Sequence, residues 1–414
     1  MNTGVRGACP SIAAPMQTGD GLLVRLIPYE AIDIEKLCIL CTAAEEYGNG
    51  IIEITQRGSL QIRGLREASA STFARIITSL EIGADKGPPL VTSPLLGLDP
   101  DEPFDSSALV SSLRNTLQQE HPDLESLGPK VSVLIDGGGQ LHLDTISADI
   151  RLVATPNSLF QLSLAGNARN AAHLGYVHAD RAAAIVMQLL QRIARRGATT
   201  RAKDLANNQE IREIRHCLGN GDTLIDGPAP NPRPCAETIG VYRLATGKLA
   251  RGFALPFGHT TAGALRRFAQ AAAANGAFAI RPAPGRALLA IGLSQAAAAD
   301  QLCKSAIEEE FVVDAHDARR HVVACAGAPA CASAELPTRQ LAPEVARAIR
   351  SWAGTSNIVH LSGCGKGCAH PGPAALTVAG PDRLIINGRA SDTPHARISA
   401  AGLIADIERL CSEL

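Results

Sequence analysis

The sequence predicts an α+β protein built by duplication, in which a small strand–helix–strand–strand–helix unit alternates with a larger α/β segment. Two observations predict it. The runs "GDGLLVRLIP" and "GIIEITQRGSLQIRGL", with a helical stretch between them, are answered later by "RGFALPFG" and "GAFAIRPAPGRALLAIGL", again around a helical stretch. Between the copies lies "DGPAPNPRPC", Asp226 to Cys235, where four prolines in ten residues remove amide donors and fix φ, so the stretch reads as a linker. The expected organisation is a first small unit with an N-terminal extension over 1–85, a first α/β segment over 86–225 and a linker over 226–236. A second small unit over 237–309 and a second α/β segment over 310–414 complete it.

In chain order, the first copy opens on an apolar strand run. Ala31 to Tyr47 follows as a helix with apolar residues three and four apart, then two alternating strands ending Gly-Leu, then a helix over Glu67 to Leu80. In 86–225 the β-prone runs are "KVSVLI", "QLHL" and "SLFQLSL". "DGGGQ" at Asp136 reads as a hairpin turn, and a long helix is expected around Asp180 to Arg196. The second copy repeats the pattern, with helices over Thr260 to Ala274 and Ser294 to Glu309. The last segment offers strands at "HVVAC", "NIVHLSG", "ALTVAG" and "RLIING", and helices near Ala342 to Trp352 and Ser399 to Cys411.

Composition excludes some functions. A chain of 414 residues that is 46% hydrophobic can build sizeable cores. Its net charge of −1 lacks the surplus cations that neutralising nucleic-acid phosphates requires. The longest apolar runs, such as Ala287 to Leu293, are far too short to span a bilayer, and the N-terminus has no continuous apolar stretch of a leader. A cytoplasmic protein, engaging neither nucleic acid nor membrane, is expected.

Eleven cysteines, an odd number with no leader, argue for metal binding over stapling disulfides wherever they cluster. They cluster once, as Cys325-x5-Cys331 and Cys364-x3-Cys368, each pair among Gly, Ala, Ser and Pro just after an apolar strand run. Thiolates favour soft metals, so zinc and iron–sulfur clusters compete here. A five-residue gap is wide for a zinc knuckle but suits two corners of a cubane, and small residues let amides approach the sulfides. The four cysteines therefore read as ligands of a [4Fe–4S] cluster. Cys38 and Cys41 share the apolar face of a helix and read as core. Cys217, Cys235, Cys303 and Cys411 are isolated and read likewise, while Cys9, in "RGACPS", is a candidate for a ligand or substrate loop.

The cysteine spacing resembles the cluster signature of the sulfite and nitrite reductase superfamily, in which two ferredoxin-like halves alternate with two larger α/β halves. The stretch Thr55 to Gly64, "TQRGSLQIRG", resembles its tetrapyrrole-contacting strands, and "SPLLGLDPDE", Ser93 to Glu102, resembles a neighbouring motif. The chain departs from the siroheme reductases: no Arg precedes "SPLLGLDP", "GPKVSV" keeps only Lys130 of a basic cluster, and "GCGK" stands where those enzymes have "GCPN". The stretch Arg6 to Leu26 and "GCGKGCAHPG" instead resemble the precorrin-3B synthase branch of aerobic cobalamin synthesis. That resemblance implies oxygen-dependent hydroxylation of precorrin-3A at C20 with γ-lactone formation, using a [4Fe–4S] cluster, a mononuclear non-haem iron and reduced nicotinamide.

A precorrin bears many carboxylates, which arginine's planar fork binds bidentately. Arg57 and Arg63 are an even number apart, so an extended strand would project both, with Gln61, from one face. Arg25 on the first strand and Lys130 complete the expected substrate-binding set. No catalytic residue is singled out. His142 and Asp144, in "LHLD", have strand-face spacing but leave the iron ligands undetermined, and His370 belongs near the cluster. No Gly-x-Gly-x-x-Gly fingerprint follows a strand, so electrons from NADH are expected through a separate reductase or ferredoxin. Two other readings are a siroheme sulfite or nitrite reductase, against which the depleted basic cluster counts, and a non-catalytic iron–sulfur carrier, which would need no tetrapyrrole strands.

Overall fold

The computed structural model describes residues 10–83, 87–119, 121–219, 224–398 and 402–413. The first small unit comprises β1 (Met16–Thr18), β2 (Gly21–Leu26), β3 (Ile32–Asp33), α1 (Ile34–Tyr47), β4 (Ile51–Ile54), β5 (Leu60–Leu65) and α2 (Glu67–Leu80). Next come β6 (Leu90–Thr92), α3 (Ser107–Gln118), β7 (Val133–Asp136), β8 (Ala148–Thr155), β9 (Leu159–Gly166), β10 (Ala172–His178), α4 (Ala179–Ala194) and α5 (Asn208–Gly219). The second small unit holds β11 (Val241–Arg243), β12 (Leu249–Ala254), β13 (His259–Thr261), α6 (Ala262–Ala274), β14 (Ala279–Ala283), β15 (Ala287–Leu293) and α7 (Ala296–Glu308). The chain closes with β16 (Val322–Ala324), α8 (Thr338–Ala348), β17 (Val359–Ser362), β18 (Ala374–Ala379), β19 (Arg383–Gly388), β20 (Ala396–Arg397) and α9 (Leu403–Glu413).

Duplication is visible in the strand orders. The two small units form sheets β1-β2-β5-β4-β13 and β11-β12-β15-β14-β3, so each lends the other its edge strand. The lent strand is in both cases the run-up into a helix. Asp33 ends β3 and caps α1 by accepting from the amide of Glu35 at 2.8 Å, and Thr261 ends β13 and caps α6 from Ala264 at 3.1 Å. The register His259↔Glu53 to Thr261↔Ile51 continues in the bond from Ala262 N to Gly50 O at 2.8 Å. One apolar core serves both units: Leu40, Ile62 and Phe73 of the first belong with Phe253, Phe268 and Leu288 of the second. Phe268 stands 5.1 Å from Phe253 and 4.9 Å from Phe311, ring centre to ring centre.

The two α/β segments repeat each other too. Their sheets, β10-β9-β8-β7-β6 and β16-β17-β18-β19-β20, each run parallel over three strands and antiparallel thereafter. This corrects two sequence expectations. Residues 137–147 are no hairpin, because β7 and β8 are parallel neighbours, and "QLHL" is loop rather than strand. Its alternation of apolar and polar residues imitates a strand, but the amides of Gly138 and Leu143 are turned to the Asp136 carboxylate, at 2.8 and 2.7 Å. No helix among the described residues is long and apolar enough to cross a membrane.

A four-cysteine candidate cofactor site and its counterpart

Parallel pairing of β16 with β17, in the register Val322↔Val359 to Ala324↔Leu361, sets the carboxyl ends of the two strands side by side. Cys325 follows β16 directly and Cys364 lies two residues beyond β17, so both cysteine-bearing loops leave from one edge. The loops are also bonded to each other. Gly363 N donates to Cys325 Sγ at 3.1 Å, Glu335 N to Gly363 O at 2.8 Å, and Lys366 Nζ to Ser333 Oγ at 3.0 Å. Cys325, Cys331 and Cys364 are half-buried and Cys368 is exposed. Four soft thiols on two adjoining small-residue loops, one sulfur already accepting a backbone amide, fit a [4Fe–4S] cluster. Cys9 lies outside the described residues, and Cys38 packs against the shared core that contains Cys41.

The first α/β segment holds the same frame without the thiols. Ser93 N donates to Ile135 O at 3.2 Å as Cys325 N does to Leu361 O at 3.1 Å, and Gly137 N donates to Ser93 Oγ at 3.1 Å as Gly363 N does to Cys325 Sγ. Ser93 is thus the counterpart of Cys325. Here Asp136, His142 and Asp144 bring possible ligand atoms within 4.8 Å of one another. Among the described residues this is the one such group of three. Their carboxylates already hold Arg233 from the linker, which reaches Asp136 Oδ2 at 3.0 Å and Asp144 Oδ1 at 2.7 Å. Burial works against the charge of Asp144, but bonds from His142 and Arg233 outweigh it and hold its pKa well below the usual carboxylate range. A guanidinium occupies the place of a cation, so this group does not fit a mononuclear iron.

The expected substrate residues separate. Thr55 N bonds Ser59 O at 2.9 Å, closing a turn between β4 and β5 in which Gly58 takes φ 78°, so Arg57 lies on an exposed turn and not on one strand face with Arg63. The even-number argument fails because the chain reverses between them. Arg63, 5% exposed, is bidentate to Asp20 at 3.0 Å on both oxygens and donates to Ala330 O at 3.0 Å. Gln61 joins its neighbours across the sheet: its amide donates to Glu53 at 2.7 Å and accepts from Arg25 at 2.6 Å. Arg25 and Gln61 are therefore brought together, with Glu53 and Arg339 closing the network. Lys130 is exposed at the amino end of β7, away from Asp136.

Several residues escaped the sequence reading. Arg286 sits in the turn between β14 and β15, the repeat of the turn that carries Arg57, and donates to Ala369 O, next to Cys368, at 3.3 Å. The repeat itself was the signal for it. The two turns meet, Gly285 N donating to Gln56 O at 3.1 Å. Nothing local pointed to Asp20, Glu53 or Arg233, whose partners lie far along the chain. His360 on β17 is fully buried, its ring 5.6 Å from that of His370, and burial pulls its pKa down to about 3, so it is neutral.

Residues 14–80 match the model of the nitrite/sulfite reductase ferredoxin-like half domain. The chain is 39% identical to a precorrin-3B synthase of Sinorhizobium sp. over 98% of its own length and 88% of that protein's. A ferredoxin–nitrite reductase of Leptolyngbya laminosa is 30% identical over 30% of this chain and 26% of that one. Among solved structures, the Mycobacterium tuberculosis NirA protein superposes on 95% of this chain and 80% of its own, with a TM-score of 0.77 at 19% identity, a likeness of fold.

Proposed function

The chain belongs to the precorrin-3B synthase family, and from that premise we propose that it converts precorrin-3A to precorrin-3B, an oxygen-dependent hydroxylation at C20 with γ-lactone formation. The observation that carries the reading is end-to-end similarity to a precorrin-3B synthase in a chain whose four clustered cysteines share one edge of a sheet. Cys325, Cys331, Cys364 and Cys368 would hold a [4Fe–4S] cluster, which supplies single electrons when bound. Arg25 and Arg57, with Gln61, are proposed to bind substrate carboxylates, because a precorrin's acetates and propionates call for fixed cations, whereas Lys130, at the far end of its strand, is not placed with them.

Electrons are proposed to come from NADH through a separate reductase or ferredoxin, in line with the missing dinucleotide fingerprint. The resemblance also carries a mononuclear iron. No step is assigned to it, since the described residues give it no seat.

The deciding experiment is an absorption spectrum of anaerobically purified protein with iron and sulfide analysis, followed by precorrin-3A turnover under oxygen. A broad cluster spectrum, with equal iron and sulfide or a slight iron excess, and formation of the hydroxylated lactone are expected. Sharp macrocycle bands that extract as siroheme would make this chain a sulfite or nitrite reductase instead.

A further inference from the structure

We infer that Arg63 is a positioning residue for the Cys325–Cys331 loop, clamping the first small unit onto the cluster site, and not a ligand of the substrate. The inference rests on the [4Fe–4S] reading above. The loop consists of Ala, Gly and Pro between its two cysteines, so it has no side chain with which to hold its own shape. Its backbone bonds, Cys331 N to Gly327 O at 2.8 Å and Ala328 N to Leu336 O at 2.9 Å, give it shape, and Arg63 adds a side-chain hold at the Cys331 end. Its guanidinium donates to the carbonyl of Ala330, the residue directly before Cys331, and so fixes the peptide plane that leads into Cys331.

The clamp is itself fixed. Asp20 takes both Nε and one terminal nitrogen of Arg63, and Glu53 stands 3.6 Å from Nε. Asp20 is in turn held by Asn49 at 2.9 Å and Thr18 at 2.7 Å. Beside it, a Cβ on Gly19 would come within 2.6 Å of Ala332 N, so the β1–β2 turn lies directly against the loop's backbone and only glycine fits there. Glu53 also bonds Arg339 at the start of α8, a second tie between the unit and the segment that carries the cysteines. Burial works against the charge of Arg63, but Glu53 and Asp20 outweigh it and hold its pKa above the ordinary value. Nε and the Nη2 hydrogens are taken in this way, and at 5% exposure Arg63 presents little of its guanidinium to an incoming carboxylate.

The test compares Arg63→Met, Arg63→Lys and Asp20→Asn with the parent protein, each reconstituted anaerobically with iron and sulfide. Cluster loss to a chelator is followed by absorption, midpoint potential by EPR-monitored titration, and precorrin-3A affinity by fluorescence. Losing a buried charge-assisted bond, Arg63→Met is expected to speed cluster loss roughly tenfold or more. Removing a cation near the cluster is expected to lower its potential. Arg63→Lys is expected to restore the potential but not the loss rate, since an ammonium keeps the charge without the fork. Asp20→Asn, which leaves Arg63 in place but unheld, is expected to speed loss without weakening precorrin-3A binding, and it carries the test should Arg63→Met fail to fold. Unchanged cluster loss and potential in all three, with weakened precorrin-3A binding in Arg63→Met, would overturn the assignment and make Arg63 a substrate ligand. A parent protein that takes up no sulfide-bearing cluster would instead overturn the cluster reading and this inference together.

Discussion

Arg57 and Arg63 show how far single residues can be read. Both looked like cations on one strand face; one ends on an exposed turn and the other in a buried clamp. The motif around them was legible, but its geometry was not, because a turn of residues 55–59 resets strand parity and no sequence pattern announces Asp20 as a partner. Arg57→Ala is expected to weaken precorrin-3A binding and leave the cluster spectrum unchanged; an unaltered dissociation constant by fluorescence titration would remove Arg57 from the site. Glu102 makes a second prediction. Burial, with Asp99, Asp105 and Asp136 around it, pushes its pKa up to about 7 from an ordinary 4.5. The folded protein then binds that proton more tightly than the unfolded chain does. Stability is accordingly lost as pH rises from about 4.5 to about 7, and the loss is complete above that. A glutamine keeps an acceptor for Gly97 N, now 2.9 Å from Glu102, and removes the charge. Glu102→Gln should raise the melting temperature at pH 8 and leave it nearly unchanged at pH 4; equal effects at both values would exclude titration as the cause.

Elements were more legible than residues where period and caps agreed. The helix over Glu67–Leu80 was legible to the residue, since its apolar positions recur with helical spacing between a Gly-Leu strand end and a polar stretch. The exchanged strands were not. β13 is three residues of "HTT" at the head of an apparent helix, and β3 is two residues of "ID"; nothing so short carries a period. Yet β13 ties the two small units together. Hydrogen-bonded pairs alternate along an antiparallel ladder, so the bond at Ala262–Gly50 places another at Thr260–Ile52. Thr260→Pro deletes it, at an expected cost of about 2 kcal/mol in the denaturant midpoint analysis. A cost near zero would mean that the lent strand does not hold the sheets together.

At the scale of the whole molecule, duplication was the most legible feature, because two copies of a pattern reinforce one another where each alone is weak. The copies' interdependence was hidden, since a shared core leaves no mark in either sequence. Phe268 is the test of it, fully buried between Phe253 and Phe311. Phe268→Ala is expected to cost about 3–5 kcal/mol and to loosen residues 16–80 together with 241–308. Hydrogen exchange that rose only in the second unit would show that the halves unfold separately.

Ser93 has a meaning beyond packing. It repeats the backbone bond of Cys325 at the corresponding strand end, and its hydroxyl oxygen accepts an amide where the Cys325 sulfur does. The two segments share a scaffold and differ over its chemistry, one presenting a soft donor and the other a hard one. The scaffold thus tolerates either donor, sulfur or oxygen, at that corner. In the first segment the frame holds a guanidinium instead, so that the linker between the two halves is pinned to the edge of the sheet it leaves.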